Sequence, residues 1–272
     1  MSLDVMVWLI LFALLLLGVP VFAALGTATL VALTMSDIPL SIIPLDLYKV
    51  SEMFPLIAVP AFILAGSIMD RGGLAKQIVD VASIFVGRMR GGYAIVTIIG
   101  CMFFAAMIGS GPGTVAAMGS LMIPSMVRQG YSKDYASGVC CTGGTLGILI
   151  PPSNPMIVYG VIANVSISGL FMAGFVPGFL VSFALMLTAY IYARKNGYKG
   201  SDKVYTLKEV GSIFKTSFWA LMAPVVILGG IYAGIFTPVE ASIIAVVYSL
   251  FVGTVINKKI NFKTLIECFR MT

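Results

Sequence analysis

Apolar stretches make up most of this chain, separated by short polar or basic connections. They run from Val5 to about Met35, Phe54 to Met69, Gly92 to Met126, Ala136 to Ile162, Gly169 to Ala193, Thr216 to Phe236 and Val239 to Ile256. An α-helix needs about 20 residues to cross hydrocarbon. Gly92–Met126 departs from that rule, because Gly109-Ser110-Gly111-Pro112-Gly113 divides it into two arms that are each too short to cross. The spacing predicts a re-entrant helical hairpin with both ends on one side of the membrane. Arg88 and Arg90 before it and Arg128 and Lys133 after it agree with that placement. Ala136–Ile162 is predicted to cross once, with a break about halfway at Pro151-Pro152-Ser153-Asn154-Pro155. Gly18-Val19-Pro20 divides the first run into one kinked span or two short helices, and one net crossing is expected. That run exceeds a signal h-region of about 7–15 residues and has Asp4 as its only early charge, so it is expected to stay in the membrane.

Composition fixes the solvent. The chain is 59% hydrophobic and only 10% charged, with a mean hydropathy of +1.04, which defines an all-α integral membrane protein rather than a soluble domain. The net charge of +6 belongs to loops, not to a nucleic-acid surface. With the N-terminus inside, the outer connections are Ser36–Met53, Ala163–Ser168 and the turn at Thr237-Pro238. Of the 17 lysines and arginines only Lys49 falls there, as the excess of basic residues on the cytoplasmic side requires. The basic stretches Arg194–Lys215 and Lys258–Arg270 are the strongest inside markers. Within Asp70–Gly91, Leu74, Ile78, Val81 and Phe85 recur at helical spacing opposite Lys76, Gln77 and Asp80, predicting an interfacial helix.

The two breaks hold the candidate chemistry. A backbone group left unsatisfied at membrane depth costs several kcal/mol unless it lines a cavity or a ligand site. Broken helices can turn positive N-termini toward carboxylates while freed carbonyls hold sodium or accept protons. At the first break, Thr114 stands at a position suited to an N-cap, and the amides around Gly113 and Thr114 could face an anion. Ser110 could offer its hydroxyl or carbonyl to sodium; alternatively, the glycines only permit a tight turn. At the second, prolines 151, 152 and 155 free carbonyls near Gly147, Leu149 and Ile150, and Ser153 and Asn154 add polar side chains. The competing reading is a simple kink.

Other residues carry less. Glu240 follows Thr237-Pro238, where an acid in a first helical turn offsets the dipole, and a structural role is expected of it. The chain has no histidine, which removes the commonest general base and metal ligand. Cys101, Cys140, Cys141 and Cys268 show no C-x-x-C spacing and read as small hydrophobes. No Gly-Lys-Ser/Thr follows the glycine turn, so ATP use is not expected. No transition-metal site and no enzyme activity are expected either.

Several runs resemble one family. They are Pro55–Gly66 (PLIAVPAFILAG), Gly147–Ser153 (GILIPPS), Leu170–Gly178 (LFMAGFVPG) and Ile227–Ala241 (ILGGIYAGIFTPVEA), in the family's order over nearly the whole chain. They closely resemble the large membrane subunit of tripartite ATP-independent periplasmic (TRAP) transporters. The resemblance implies a sodium-driven secondary transporter of the bacterial inner membrane that imports organic acids delivered by a periplasmic binding protein. It would work beside a small membrane subunit, by an elevator motion, with sodium as coupling ion and no other cofactor. It also points sodium to the Pro151 break. The site expected on these grounds places Gly113, Thr114, Ser153 and Asn154 on the substrate side and Gly109, Ser110, Gly147, Ile150 and Pro151 on the sodium side.

The resemblance divides the chain into N-terminal scaffold spans (1–69), an interfacial connecting helix (70–91), a transport core (92–162), further scaffold spans (163–256) and a cytoplasmic tail or the start of a second repeat (257–272). Two departures accompany it. Ile108 stands where the family's hairpin tip often has serine, leaving more of the site to backbone carbonyls. The family pattern continues past Ile256 into an inverted second repeat, and one repeat alone is not expected to transport. Two other functions fit the same residues: a stand-alone sodium/dicarboxylate symporter needing no binding protein, and a non-transporting membrane scaffold subunit.

Overall fold

A computed structural model describes residues 2–201 and 203–272, which fold entirely into helices and connections; no strand occurs among them. Two compact units form, 2–53 and 54–272. The first holds α1 (Leu3–Leu16), α2 (Val21–Met35) and α3 (Ile42–Ser51). The run from Val5 to Met35 is therefore two short helices that pack on each other. Gly18, at φ +79°, and Pro20 end one and start the other. The outer connection predicted over Ser36–Met53 contains α3, in which Lys49 and Asp46 pair at 3.4 Å across one turn.

The second unit begins with a 3₁₀ turn, Phe54–Ile57, leading into α4 (Ala58–Arg71). There follow α5 (Leu74–Val86), α6 (Gly92–Ile108), α7 (Gly111–Arg128), α8 (Lys133–Gly144), α9 (Leu146–Leu149), α10 (Asn154–Ile162), α11 (Ile167–Lys195), α12 (Leu207–Tyr232), α13 (Pro238–Phe251), a π turn at Val252–Ile256 and α14 (Phe262–Met271). Five passages are long and apolar enough to cross a membrane: Phe54–Arg71, Lys133–Ile162, Ile167–Lys195, Leu207–Tyr232 and Pro238–Ile256. The protein is a multi-pass helical membrane protein.

In so apolar a sequence the helix ends are set by polar caps. Ser132, Ser166 and Asn261 accept from the amides of Tyr135, Gly169 and Thr264 and start α8, α11 and α14. Thr206 with Glu209 and Thr237 with Glu240 form reciprocal capping boxes at α12 and α13. The first box explains why α12 starts at Leu207, well before the apolar run at Thr216: its first turns are helical but polar.

The core is built around α6. Its buried residues lie on every face, from Ala94 and Val96 to Phe104 and Met107, as expected of a helix apolar all round. It touches α5, α7, α8, α9 and α11, and meets α12 only sparsely. α4 and α13 form the closest pair, through buried small residues that include Ala58, Ala65, Ala241 and Ala245. α5 buries Leu74, Ile78 and Val81 as its spacing predicts, but Phe85 is 68% exposed. Phe85 lies at the end of the helix, where it meets the ring of Phe214 edge-on instead.

Candidate functional site

The hairpin turn and the proline break lie against each other. α6 ends at Gly109, whose φ of +66° is a left-handed turn that glycine adopts without strain. Ser110 then takes an extended backbone (φ −133°, ψ 124°) and caps α7, its Oγ accepting from the Gly113 amide at 3.4 Å. At the other break, Ser153 takes nearly the same backbone (φ −128°, ψ 122°) and caps α10, its Oγ accepting from the Met156 amide at 3.4 Å. Each cap precedes a residue and then a proline, Gly111-Pro112 in one and Asn154-Pro155 in the other. One local grammar, Ser-x-Pro, starts both half-helices.

Hydrogen bonds and close backbone approach join the two breaks. The Asn154 amide donates to the Gly109 carbonyl at 2.9 Å. A Cβ on Gly109 would lie 2.5 Å from the Pro152 carbonyl oxygen. A Cβ on Gly147 would lie 2.6 Å from the Ser110 carbonyl oxygen and 2.8 Å from Thr114 Oγ1. Both glycines are needed for the approach. The structure thus brings Gly109, Ser110, Thr114, Gly147 and Asn154 into one cluster. Ile150 and the neighbouring Leu149 carbonyl turn toward α11, where Gly178 and Gly174 leave room for them. Sequence reasoning did not single out those two glycines as the floor of the break. The Pro151-Pro152 peptide is cis.

Thr114 is not the cap expected of it. Ser110 holds that position, and Thr114 lies inside α7 with its hydroxyl donating to the Ser110 carbonyl at 2.8 Å. Neither nearby amide is free, since Gly113 N–H goes to Ser110 Oγ and Thr114 N–H to the Ser110 carbonyl at 3.0 Å. Pro112 and Pro155 have no N–H, so Gly111 holds the amide without an intrahelical acceptor. Ser153 also donates from Oγ to the Ile148 carbonyl at 2.7 Å, satisfying the end of α9. Asn154 is 92% buried, and its Oδ1 has no hydrogen-bond partner. Among the described residues it is the one buried side-chain atom of the cluster without a hydrogen-bond partner.

Gly113 looks the other way. With Ser110 it lines a cavity of about 110 Å³ whose far wall is Ile63, Gly66, Ser67, Asp70 and Arg71 of α4. Ser67 and Asp70 escaped the sequence reading, although an acid one turn after a serine at the end of an apolar run was a visible signal. Asp70 and Arg71 stand on the cavity that Ser110 lines, and among the described residues no charged side chain is seen to bond within the cluster between the breaks. Its electrostatics come from helix ends, the C-termini of α6 and α9 offering carbonyls and the N-termini of α7 and α10 a positive pole. Among the described residues no group of three or more His, Cys, Asp or Glu side chains could hold a metal ion. Glu240 sits in its capping box, its Oε2 accepting from the Thr237 amide at 2.8 Å.

An apolar helical bundle that holds two capped breaks against one another is an architecture that membrane transport proteins use. The chain belongs to the DctM component family of tripartite ATP-independent periplasmic transporters, whose family model matches residues 8–272. It is 43% identical over 255 residues to the isethionate TRAP transporter permease protein DctMQ of Oleidesulfovibrio alaskensis, covering 93% of this chain and 40% of that protein. It is 40% identical over 269 residues to the C4-dicarboxylate TRAP transporter large permease protein DctM of Rhodobacter capsulatus, covering 93% and 61%. To the sialic acid TRAP transporter permease protein SiaT of Haemophilus influenzae it is 39% identical over 262 residues, covering 96% and 42%. The chain spans about half the length of the curated relatives it matches. Members of the family are transporter permeases, not enzymes.

Proposed function

We propose that this chain supplies one re-entrant hairpin and one broken helix to the membrane subunit of a sodium-driven importer of organic acids in the bacterial inner membrane, with its N-terminus in the cytoplasm. A periplasmic binding protein delivers the substrate, and a small membrane subunit stands beside this one. The observation that carries the reading is the bond from the Asn154 amide to the Gly109 carbonyl, which ties two half-helix starts to two half-helix ends at one place. The substrates named for the relatives, among them isethionate, C4-dicarboxylates and sialic acid, are all organic anions, which suits a pocket built from helix N-termini.

In this reading residues 92–162 form the moving core. Ser110, Gly113 and Thr114 shape the first helix start and Ser153 and Asn154 the second, so the acid meets the Gly111 amide, the Ser110 hydroxyl and the Asn154 side-chain nitrogen. Sodium takes oxygens from the facing ends: the carbonyls of Gly109, Ser110, Gly147, Ile150 and Pro151. The unpartnered Asn154 Oδ1 joins them, because a buried acceptor without a donor is stabilised by a hard cation and repels a carboxylate. One amide side chain thereby touches both solutes and couples them. α11, given above as one of the scaffold spans, packs on α6, α8, α9 and α10 more than on α12, which favours counting it with the core instead.

The test is uptake of radiolabelled organic acids into proteoliposomes that contain the full-length protein, the small subunit and the binding protein, with and without an inward sodium gradient. Uptake that needs both sodium and the binding protein is expected. Uptake without the binding protein would make the protein a stand-alone symporter, and no uptake of any acid would leave a non-transporting scaffold subunit.

A further inference from the structure

α5 is bonded to the helices that come after the core. Ser217 of α12 donates from Oγ to the Gln77 carbonyl at 3.1 Å. Asn257, beyond α13, donates from Nδ2 to the Gly72 carbonyl and accepts at Oδ1 from Gln77 Nε2, both at 2.9 Å. Toward α6 the contact is of another kind. Among the described residues no side-chain hydrogen bond or ion pair joins α5 to α6, and they meet through groups such as Val79 and Gly100. Packed helices slide on such a surface more readily than across fixed bonds.

The end of α11 is bonded to the core instead. Tyr135 of α8 donates from its hydroxyl to the Ala189 carbonyl at 3.2 Å, and a Cβ on Gly91 would lie 2.6 Å from that of Ala193, so α6 starts against α11. The chain leaving α11 turns at Gly197, φ +71°, and then lies on the loop between α7 and α8. Tyr198 stacks on Tyr131 with ring centres 4.5 Å apart, and its hydroxyl accepts from the Ser132 amide at 3.3 Å. The Tyr131 hydroxyl donates to the Lys199 carbonyl at 3.2 Å. Up to Lys199, then, the linker is held by the core. Ser201, two residues on, is held by α5, its amide donating at 2.7 Å to the carbonyl of Gly87, the C-cap of that helix.

The change of partner falls at Gly200. A Cβ there would overlap the carbonyl oxygens of both Arg88 and Met89, so glycine is what lets the linker cross the turn between α5 and α6. That turn is the core's other covalent link to α5, and it ends at Gly91 with φ +74°. Both passages of the chain into the core therefore bend where they touch. Two links far apart would resist a large rotation, whereas two that touch share one axis, and hinges are a few loop residues that absorb the change in dihedral angles. We infer that this chain's share of the core, residues 92–199, swings on a single two-stranded hinge in which Gly200 crosses the turn Arg88–Gly91. The inference rests on the proposed function, in which this region moves.

Double electron–electron resonance tests it on the full-length protein, assembled with the small subunit in nanodiscs and with its own cysteines changed to serine. Spin labels are placed on the exposed Phe218 of α12 together with either Leu180 or Ile191, both exposed on α11. Distances are read in potassium chloride, in sodium chloride, and in sodium chloride with isethionate, succinate or sialic acid. Leu180 lies about 17 Å farther from the hinge than Ile191 at the helical rise, so its distance is expected to change roughly twofold more. A Phe85–Val247 pair, joining α5 to α13, is expected to keep one distance throughout. Gly200→Ala is expected to leave the Leu180 distance unresponsive; if that variant does not fold, the unaltered chain still decides. Equal changes at Leu180 and Ile191, no change at either, movement of the Phe85–Val247 pair, or unaltered motion in a folded Gly200→Ala would each overturn the hinge. Uptake by the same preparation reports separately on transport: the expected distances without uptake would keep the hinge and sink the transport reading.

Discussion

The two breaks begin alike and end differently. Ser110 and Ser153 share a backbone conformation to within a few degrees and each caps a half-helix whose second residue is proline. The first break is built from glycines, and Ser110 serves Gly113 and Thr114 locally while the Gly111 amide stays without an intrahelical acceptor. The second is built from prolines and a buried asparagine, reaches across to Gly109, and leaves the Asn154 side-chain oxygen without a partner. Glycine at one break permits the approach, and asparagine at the other exploits it. Two turns made by one local rule thus divide the labour, one serving as the surface approached and the other as the ligand.

The largest expected effect comes from blocking the approach. Gly109→Ala places a Cβ 2.5 Å from the Pro152 oxygen and forces a left-handed backbone on alanine, which alone costs about 1–2 kcal/mol. Because the atoms in the way are backbone, the two breaks must separate. Uptake in proteoliposomes is expected to fall on the order of tenfold or more. Gly147→Ala, against the Ser110 carbonyl and the Thr114 hydroxyl, is expected to act in the same direction. Normal uptake by both variants would show that the interlock is not needed.

Asn154→Leu asks whether the unsatisfied oxygen is functional. An unpaired buried acceptor costs about 1–3 kcal/mol, so its removal is expected to raise thermal stability by about 1 kcal/mol while the backbone bond to Gly109 stays. Sodium stimulation of uptake is expected to disappear in the same variant. A stabilised protein that still responds to sodium would remove Asn154 from the ion's shell.

Much of this architecture is legible in the amino-acid order alone. The glycine turn and the proline cluster stand out because polar breaks are costly in apolar runs, and the helices stop where those residues place them. What escapes the sequence depends on pairing. Thr114 looks like a cap because a threonine after glycines suits that position, yet the earlier Ser110 takes the extended backbone a cap requires and Thr114 is left to back-bond to it. No one-dimensional pattern reveals that Asn154 reaches Gly109 or that Gly174 and Gly178 make room for the break, since these contacts join segments far apart in sequence. The early start of α12 is hidden for another reason. Its first turns are stabilised by the Thr206–Glu209 box rather than by hydrophobicity, so the apolar run undercounts the helix.

The two serines sharpen the comparison at smaller scale. Ser153 Oγ makes two bonds, a short one to the Ile148 carbonyl and a longer one from Met156, whereas Ser110 Oγ accepts only the longer kind. Ser153→Ala is therefore expected to lower stability by about 1–2 kcal/mol and Ser110→Ala by about 0.5–1 kcal/mol in thermal unfolding. The reverse order would mean that Ser110 has a partner the capping geometry does not account for.

The smallest effect is expected at Glu240, outside both breaks. Its carboxylate closes a capping box with Thr237, accepting from both the amide and the hydroxyl of that residue. Glutamine can occupy the same place in such a box, so Glu240→Gln keeps the cap and removes only the charge. Helix α13 is expected to stay intact and uptake to stay at its unaltered rate, measured beside Gly109→Ala in the same liposomes. If uptake collapsed while thermal unfolding stayed put, the acid would be acting as a charge on a moving solute. The asymmetry between the two breaks would then no longer describe the whole site.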